Sequence, residues 1–459
     1  MEETPQVRSR YSILFVAAFA SFITPFMGSS INVALPSIGA FFDATAIQLT
    51  WVATSFLLSS AVFLVPLGRL SDIIGRKRIF QYGLAVFTLS TLLCVFSPSI
   101  EWLIVFRVMQ GAGSAMIFGT ALAIVTSIFQ KGDRGKAVGI TISAVYLGLT
   151  MGPLIGGILT QQLGWQSIFW IIVPLGLVAI WLSYRNIKQE WKEAQNEGFD
   201  WKGSLLFGIS IVSLMLGFSW LPKLHGYIFL FGGLLGITGF VFFEKTLRSP
   251  VMNMSLFLEN RVFAFSNFAA LINYSATFAI SFMLSLYLQY LKDFNPQEAG
   301  MILGIQPVLM AVMSPFAGKL SDRIDPGKVA SVGMAIIAVG LIIISFLQPT
   351  SPLWLIMILL FMFGMGYAFF SSPNTNAIMS SVEKKYYGLA SGTVGTMRLV
   401  GQMLSMGIAT LLFAIFIGSD KIAPSNYPDF MLSLKTAFQI FGFLCIIGIY
   451  FSLARGKSS

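Results

Sequence analysis

Two arginines stand inside otherwise apolar runs, Arg107 and Arg398, and each has a glutamine on the same helical face: Gln110 three residues on, Gln402 four residues on. At bilayer depth a guanidinium costs about 2.5–3.5 kcal/mol on insertion scales, so it marks an ion or substrate path by default. Arg107 lies about five residues into its run, roughly 7–8 Å from the end, where snorkelling to the interface is the competing explanation. Arg398 lies about eleven residues in, roughly 16 Å deep, beyond that reach. No acid answers them, because all nineteen Asp and Glu fall in loops or at run ends. The chemistry on offer is therefore the binding and movement of charge, not the making of bonds. There are no paired catalytic carboxylates and no Gly-x-x-x-x-Gly-Lys-Ser/Thr phosphate loop. Cys94 and Cys445 sit in separate apolar runs and His225 is the single histidine, so no disulfide framework or metal site is expected. An enzyme and a bound cofactor are not expected.

The elements that hold these residues follow from composition. Of 459 residues 56% are hydrophobic and 10% charged, against about 45–50% and 25% in soluble domains. Such a chain cannot cover a water-facing surface, which excludes a cytosolic enzyme, a nucleic-acid-binding domain and a disordered chain. Apolar segments fall at roughly 11–36, 48–70, 79–97, 102–129, 137–160, 167–184, 203–221, 226–243, 262–291, 299–318, 329–347, 353–380, 387–418 and 434–454, each near the length of about 20 residues that spans a bilayer. They lack the period-2 alternation of a barrel, so all fourteen are expected to be helices. The first run, with Arg8 and Arg10 ahead of Ala18-Phe19-Ala20, has a signal-peptide flavour. Its apolar character continues to Pro36, too long for a cleaved segment.

If the N-terminus is inside, the inner segments take 23 of the 29 Lys and Arg. The outer ones take only Lys223, Lys292, Lys421 and Lys435, and Arg107 and Arg398 remain within spans. This bias predicts cytoplasmic termini and a multi-pass protein of the cell membrane. It also explains the net charge of +10 as topology and contact with anionic lipid, not nucleic acid.

The chain repeats itself. Gly68-Arg-Leu-Ser-Asp-Ile-Ile-Gly-Arg-Lys-Arg78 recurs as Gly318-Lys-Leu-Ser-Asp-Arg-Ile-Asp-Pro-Gly-Lys328, and Trp102-Leu103-Ile104 as Trp354-Leu355-Ile356. Two six-span halves are expected, residues 1–187 and 262–459. Residues 188–261 supply a polar linker and two inserted spans. Parallel repeats of this kind are a transporter architecture, with the substrate site near the midplane between halves.

Gly68-x-Leu-x-Asp72-x-x-Gly75-Arg76-Lys77 resembles the loop 2–3 signature of the major facilitator superfamily. Leu103-x-x-x-Arg107-x-x-Gln110-Gly111-x-Gly113 is similar to its span 4 motif. Gly148-x-x-x-Gly152-Pro153-x-x-Gly156-Gly157 resembles the span 5 motif of antiporting exporters. Asn32-Val33-Ala34-Leu35-Pro36 resembles the end of span 1 in the fourteen-span drug/proton antiporters. The resemblance covers the whole chain. It implies an all-α membrane protein of the major facilitator fold, arranged 6+2+6, moving a small-molecule substrate by alternating access with protons as coupling ion, and a monomer. It further implies gating by Gly68, Asp72, Gly75, Arg76, Lys77, Gly318 and Asp322, and coupling through Arg107, Gln110 and Arg398. Asp72 is expected to bond helix N-terminal amides or an arginine of the neighbouring span and so to latch one arrangement of the halves. The span 5 glycines permit close helix approach, sealing the outer half of the cavity.

One departure matters. Cation-exporting members carry an Asp-x-Thr pattern in span 1, where this chain reads Met27-Gly28-Ser29, and the span 2 acid of some members is here Thr54. A cavity lined by apolar, aromatic and neutral polar groups is expected, with positive charge from Arg398. Candidates are Asn32, Asn273, Tyr274, Gln306, Asn374, Asn376 and Gln402, drawn from polar stripes that could equally serve helix packing. The leading expectation is an exporter of amphipathic organic compounds of the multidrug type. The alternatives are export of an anionic or neutral metabolite (organic acid, siderophore or lipid), and a non-transporting protein of the same fold.

Overall fold

The computed structural model describes the chain apart from residues 1–4, 130–133, 195–196, 248–250, 252–254, 322, 384–386, 419 and 457–459. Among the described residues every element is helical: α1 Pro5–Phe42, α2 Ala46–Ile74, α3 Arg76–Val95, α4 Ile100–Ile128, α5 Arg134–Leu163, α6 Ser167–Asn186, α7 Trp201–Trp220, α8 Leu224–Glu244, α9 Ser255–Glu259, α10 Arg261–Leu286, α11 Pro296–Leu303, α12 Ile305–Ser321, α13 Pro326–Ile344, α14 Leu353–Ser380, α15 Tyr387–Phe416 and α16 Tyr427–Ala454. The short α9 apart, and with α11 and α12 forming one span that bends at Gly304, these make the fourteen membrane-length helices the sequence predicts. The even number brings both termini to one face, here called the terminal face.

The acids missing from the spans reappear as helix caps. Asp200 accepts from Gly203 N–H at the start of α7, Asp325 from Gly327 N–H at the start of α13, and Glu298 completes a capping box with Asn295 on α11. Each satisfies a backbone donor that lipid would leave bare. Pro36 does not end α1, which runs on to Phe42 with Pro25 and Pro36 inside it. Packing against neighbours makes such breaks tolerable in a membrane helix. A π-helical turn at Tyr287–Leu291 extends α10, which no sequence pattern signalled.

Helices α1–α6 pack into one group and α10–α16 into another, while α7 and α8 pack on each other and, through α7, against α2 and α15. Leu58 of α2, Ile211 and Met215 of α7, Phe240 of α8 and Met403 of α15 form a core of their own there.

Candidate functional site

A cavity of about 150 Å³ lies where the two groups meet. Sites for organic ligands more often span about 300–1,000 Å³, so the walls stand close around a narrow space. Its lining sorts by depth along the helices. Counting from the face opposite the termini, Arg398, Phe118 and Thr24 each lie about 18 residues in, roughly 27 Å. Tyr146 and Tyr274 lie close to that level. Ser114, Tyr367 and Gln402 lie about 14 residues in, roughly 21 Å, and Asn32, Phe56 and Gln306 about 10 residues in, roughly 15 Å. No carboxylate lines the cavity among the described residues. The Arg398 guanidinium sits 5.5 Å from the centre of the Phe118 ring, a cation–π contact. Across the groups, the Tyr146 and Ser371 hydroxyls are 2.9 Å apart.

Of the expected lining residues, Asn32, Tyr274, Gln306, Arg398 and Gln402 face this space. Three do not. Asn273 is fully buried among helices, away from the cavity. The Asn374 amide donates to the Ser266 carbonyl at 3.0 Å and that of Asn376 to Ser321 Oγ at 3.1 Å, so both serve packing inside the second group. A polar residue in a helical stripe has one azimuth, and only contacts decide which neighbour it meets. Sequence reasoning missed Tyr146, Tyr367, Phe56, Phe118 and Ser114. With 43 phenylalanines in the chain, nothing marked those lining the cavity.

On the opposite face the groups close on each other. A Cβ built at Gly148 would collide with the Phe22 carbonyl, one at Gly152 with Ser29 Oγ, and one at Gly156 would lie 2.6 Å from Ser30 Cβ, so these three glycines let α5 lie against α1. Gly157 faces the other way. Its Cβ would lie 2.5 Å from the Pro296 carbonyl oxygen and 3.3 Å from Gly300 Cα, on α11 of the second group. Pro153, between them, both bends α5 and lines the cavity. Further bonds close the seal: Ser285 Oγ donates to the Asn32 carbonyl at 2.8 Å, Gln289 Nε2 to that of Val33 at 3.0 Å, and Thr150 Oγ1 to that of Pro307 at 3.2 Å.

On the terminal face, Gly75 adopts φ +129° between α2 and α3, and a side chain there would run into Glu190. Asp72 pairs with Arg76 at 2.8 Å, Arg76 also with Glu193 at 2.7 Å and Ser127 Oγ at 2.6 Å, and Arg69 with Glu197. The Lys77 amide donates to Glu190 at 2.8 Å and the Arg76 amide to the Trp191 carbonyl at 3.0 Å. Asp72 thus meets an arginine that opens the next span. The partners of this cluster lie in the first group and in the linker after α6, whose Glu193 and Glu197 meet Arg76 and Arg69. Gly68 lies on α2 against Gly119 of α4, and Gly318 near Ser372 of α14. Asp322 lies outside the described residues.

Residues 17–266 and 266–458 match the Major Facilitator Superfamily. The chain belongs to the major facilitator superfamily. It is 29% identical over 449 residues to the riboflavin transporter RibZ of Clostridioides difficile (strain 630), covering 96% of this chain and 97% of that protein. It is 28% identical to the tetracenomycin C resistance and export protein of Streptomyces glaucescens, covering 87% and 75%. In fold it is similar to the POT family transporter PepTSo (TM-score 0.71, 14% identity, 99% of this chain and 98% of that one). It also matches a bacterial homologue of the human lysosomal transporter Spinster in an inward-facing, unoccupied conformation (TM-score 0.66, 17% identity, 99% and 98%).

In this major facilitator transporter Arg107 is 1% exposed, so it does not snorkel. Its Nε donates to the Val52 carbonyl at 3.1 Å and its Nη1 to Gln110 Oε1 at 2.6 Å; Gln110 in turn donates to Thr91 Oγ1 at 2.6 Å. The guanidinium lies 4.5 Å from the centre of the Phe56 ring, whose side chain lines the cavity. Arg455, just past the end of α16, is also buried. It donates to Ser266 Oγ at 3.0 Å and Asn374 Oδ1 at 3.2 Å. Burial pushes its guanidinium down to about 10 against the opposing pull of Asp325, which leaves it charged at neutral pH.

Proposed function

We propose that the protein is a secondary active transporter that exports amphipathic organic compounds by alternating access, driven by inward proton movement. The observation that carries this reading is the cavity between the groups, lined by aromatic rings, amides and one cation, closed on the opposite face by contacts that glycine alone permits. A lining of that kind suits a solute with a broad apolar body and few polar atoms. Alternating access needs the Gly157–Pro296 seal to open while the terminal face closes, with the Asp72 and Arg76 cluster holding the first group rigid. The Arg107–Gln110–Thr91 chain touches the cavity through Phe56 and is the coupling candidate. The named export protein among the relatives supports the direction. Uptake of fluorescent amphipaths into inside-out vesicles tests the reading. It should follow an imposed pH gradient and collapse with a protonophore; uptake indifferent to the protonophore would remove the coupling.

A second reading has specific support. The relative matched over 96% of this chain is named a riboflavin transporter, and a lining without carboxylates favours a neutral or anionic metabolite over a cation. Counterflow of riboflavin in proteoliposomes decides whether a planar neutral solute is carried.

A further inference from the structure

We propose that the cavity is bipolar, with an anion subsite at Arg398 and an amide subsite at Asn32 and Gln306 about 12 Å nearer the opposite face, and that it selects an elongated aromatic anion over a cation of the same shape. The inference deepens the transport reading and rests on it.

Three observations carry it. First, Arg398 makes no hydrogen bond or ion pair among the described residues, and its guanidinium rests on the face of Phe118. A cation near mid-bilayer with no protein counter-ion gains most from an anion that enters with the solute, since low dielectric magnifies the attraction. Second, four polar atoms of the lining are buried without a hydrogen-bond partner: Thr24 Oγ1, Asn32 Oδ1, Ser114 Oγ and Gln306 Oε1. Each such group left unmade costs about 1–3 kcal/mol. They fall at both depths, Thr24 beside the Arg398 level and Asn32 with Gln306 at the other. Both amide oxygens are acceptors, so the far end of the solute should donate. Third, the space between the levels is walled by Phe278 and Tyr367, with Phe56 at the amide level, flat surfaces that suit a ring system. The tyrosine hydroxyls of Tyr146 and Tyr274 near the Arg398 level can add donors to an anion, Tyr146 by turning from Ser371.

The same geometry repels permanent cations. A positive solute would meet Arg398 in a medium that screens poorly, with no carboxylate to offset it.

The test uses the purified full chain at mildly acidic pH and three probes: fluorescein, there an anion that keeps one xanthene hydroxyl as a donor; tetramethylrhodamine methyl ester, a cation on the same xanthene core; and riboflavin, neutral. Binding is read by fluorescence anisotropy or quenching, and transport by counterflow in proteoliposomes. The wild type should bind fluorescein at least about tenfold more tightly than the rhodamine ester, in line with a charge-assisted bond of about 1.5–3 kcal/mol. Arg398→Gln should weaken fluorescein by about tenfold or more and riboflavin by less than about threefold. Arg398→Lys should keep the preference for the anion. Equal or tighter binding of the cation by the wild type, which needs no variant, would overturn the proposal. So would fluorescein binding unchanged in Arg398→Gln. Riboflavin or another amphipath carried without any charge preference would leave the transport reading standing and remove the bipolar site; a wild type that binds and carries none of the probes would remove both.

Discussion

Gly157 and its three companions make a sharp contrast, because they sit on one helix but face different neighbours. In Gly157→Ala the new methyl would lie 2.5 Å from the Pro296 carbonyl oxygen, where ordinary contact begins at 3.4 Å. Backbone, not a flexible side chain, is in the way, so α5 and α11 must part by about 0.9 Å. Overpacking of this kind costs about 1–3 kcal/mol, and the strain exists only while the opposite face is closed. It should therefore shift the balance away from the closed seal by about 5- to 150-fold. Met310, which lines the cavity, offers a reporter. Met310→Cys, in a chain with Cys94 and Cys445 replaced, would be labelled by an impermeant maleimide applied to intact cells and, separately, to inside-out vesicles. Adding Gly157→Ala should raise the labelling rate at least about fivefold from the side bearing the seal and slow export. Gly156→Ala, strained against Ser30 within the first group, should lower the amount of folded protein without that gain in labelling. Unchanged rates from both sides in a Gly157→Ala protein that transports normally would refute the reasoning.

Asp72→Asn should cripple transport at equal membrane abundance and speed trypsin cleavage at Lys188 and Lys192, because Arg76, which anchors the linker through Glu193, loses the acid that orients it; a wild-type digestion rate would count against the clamp. Glu193→Gln removes an ion pair whose acid is largely exposed, so its effect on stability should stay under about 1 kcal/mol in thermal melts. Arg107→Gln should abolish transport driven by a pH gradient while counterflow persists at half the wild-type rate or more, and loss of both together would mean that Arg107 is structural. Cysteine placed at Lys192 should resist impermeant reagent from outside intact cells and cysteine placed at Lys421 should react; the reverse would invert the topology.

The fold was largely legible because lipid leaves the chain few choices. Continuous apolar runs must be helices, and the repeat at Gly68 and Gly318 already divided them into sets. The glycine face of α5 was legible too, since spacing at i, i+4 and i+8 fixes a side of a helix whatever it meets. That Gly157 turns to the second group was not, because its offset of one residue from Gly156 gains meaning only with α11 in place. Polar side chains were hardest. Asn32 and Asn374 look alike in sequence, yet one faces the cavity and the other accepts from Arg455, a residue far along the chain. Arg455 itself was hidden by its position near the end of a basic tail, where topology explained its charge well enough to conceal its burial.

The placement of α7 and α8 has a consequence for solutes that dissolve in the bilayer. These helices cover the junction of α2 with α15, where Val62 meets Gly208 and Gly407 meets Phe218, and the Trp51 indole N–H donates to Ser219 Oγ at 2.9 Å. Among the described residues the junction of α5 with α11 and α12 carries no such cladding, for α7 packs on α2, α8 and α15. A greasy molecule diffusing in the plane of the leaflet therefore meets a double wall on one flank and a single one on the other. Lateral entry would then have a handedness, with the thinner wall at α5 and α11.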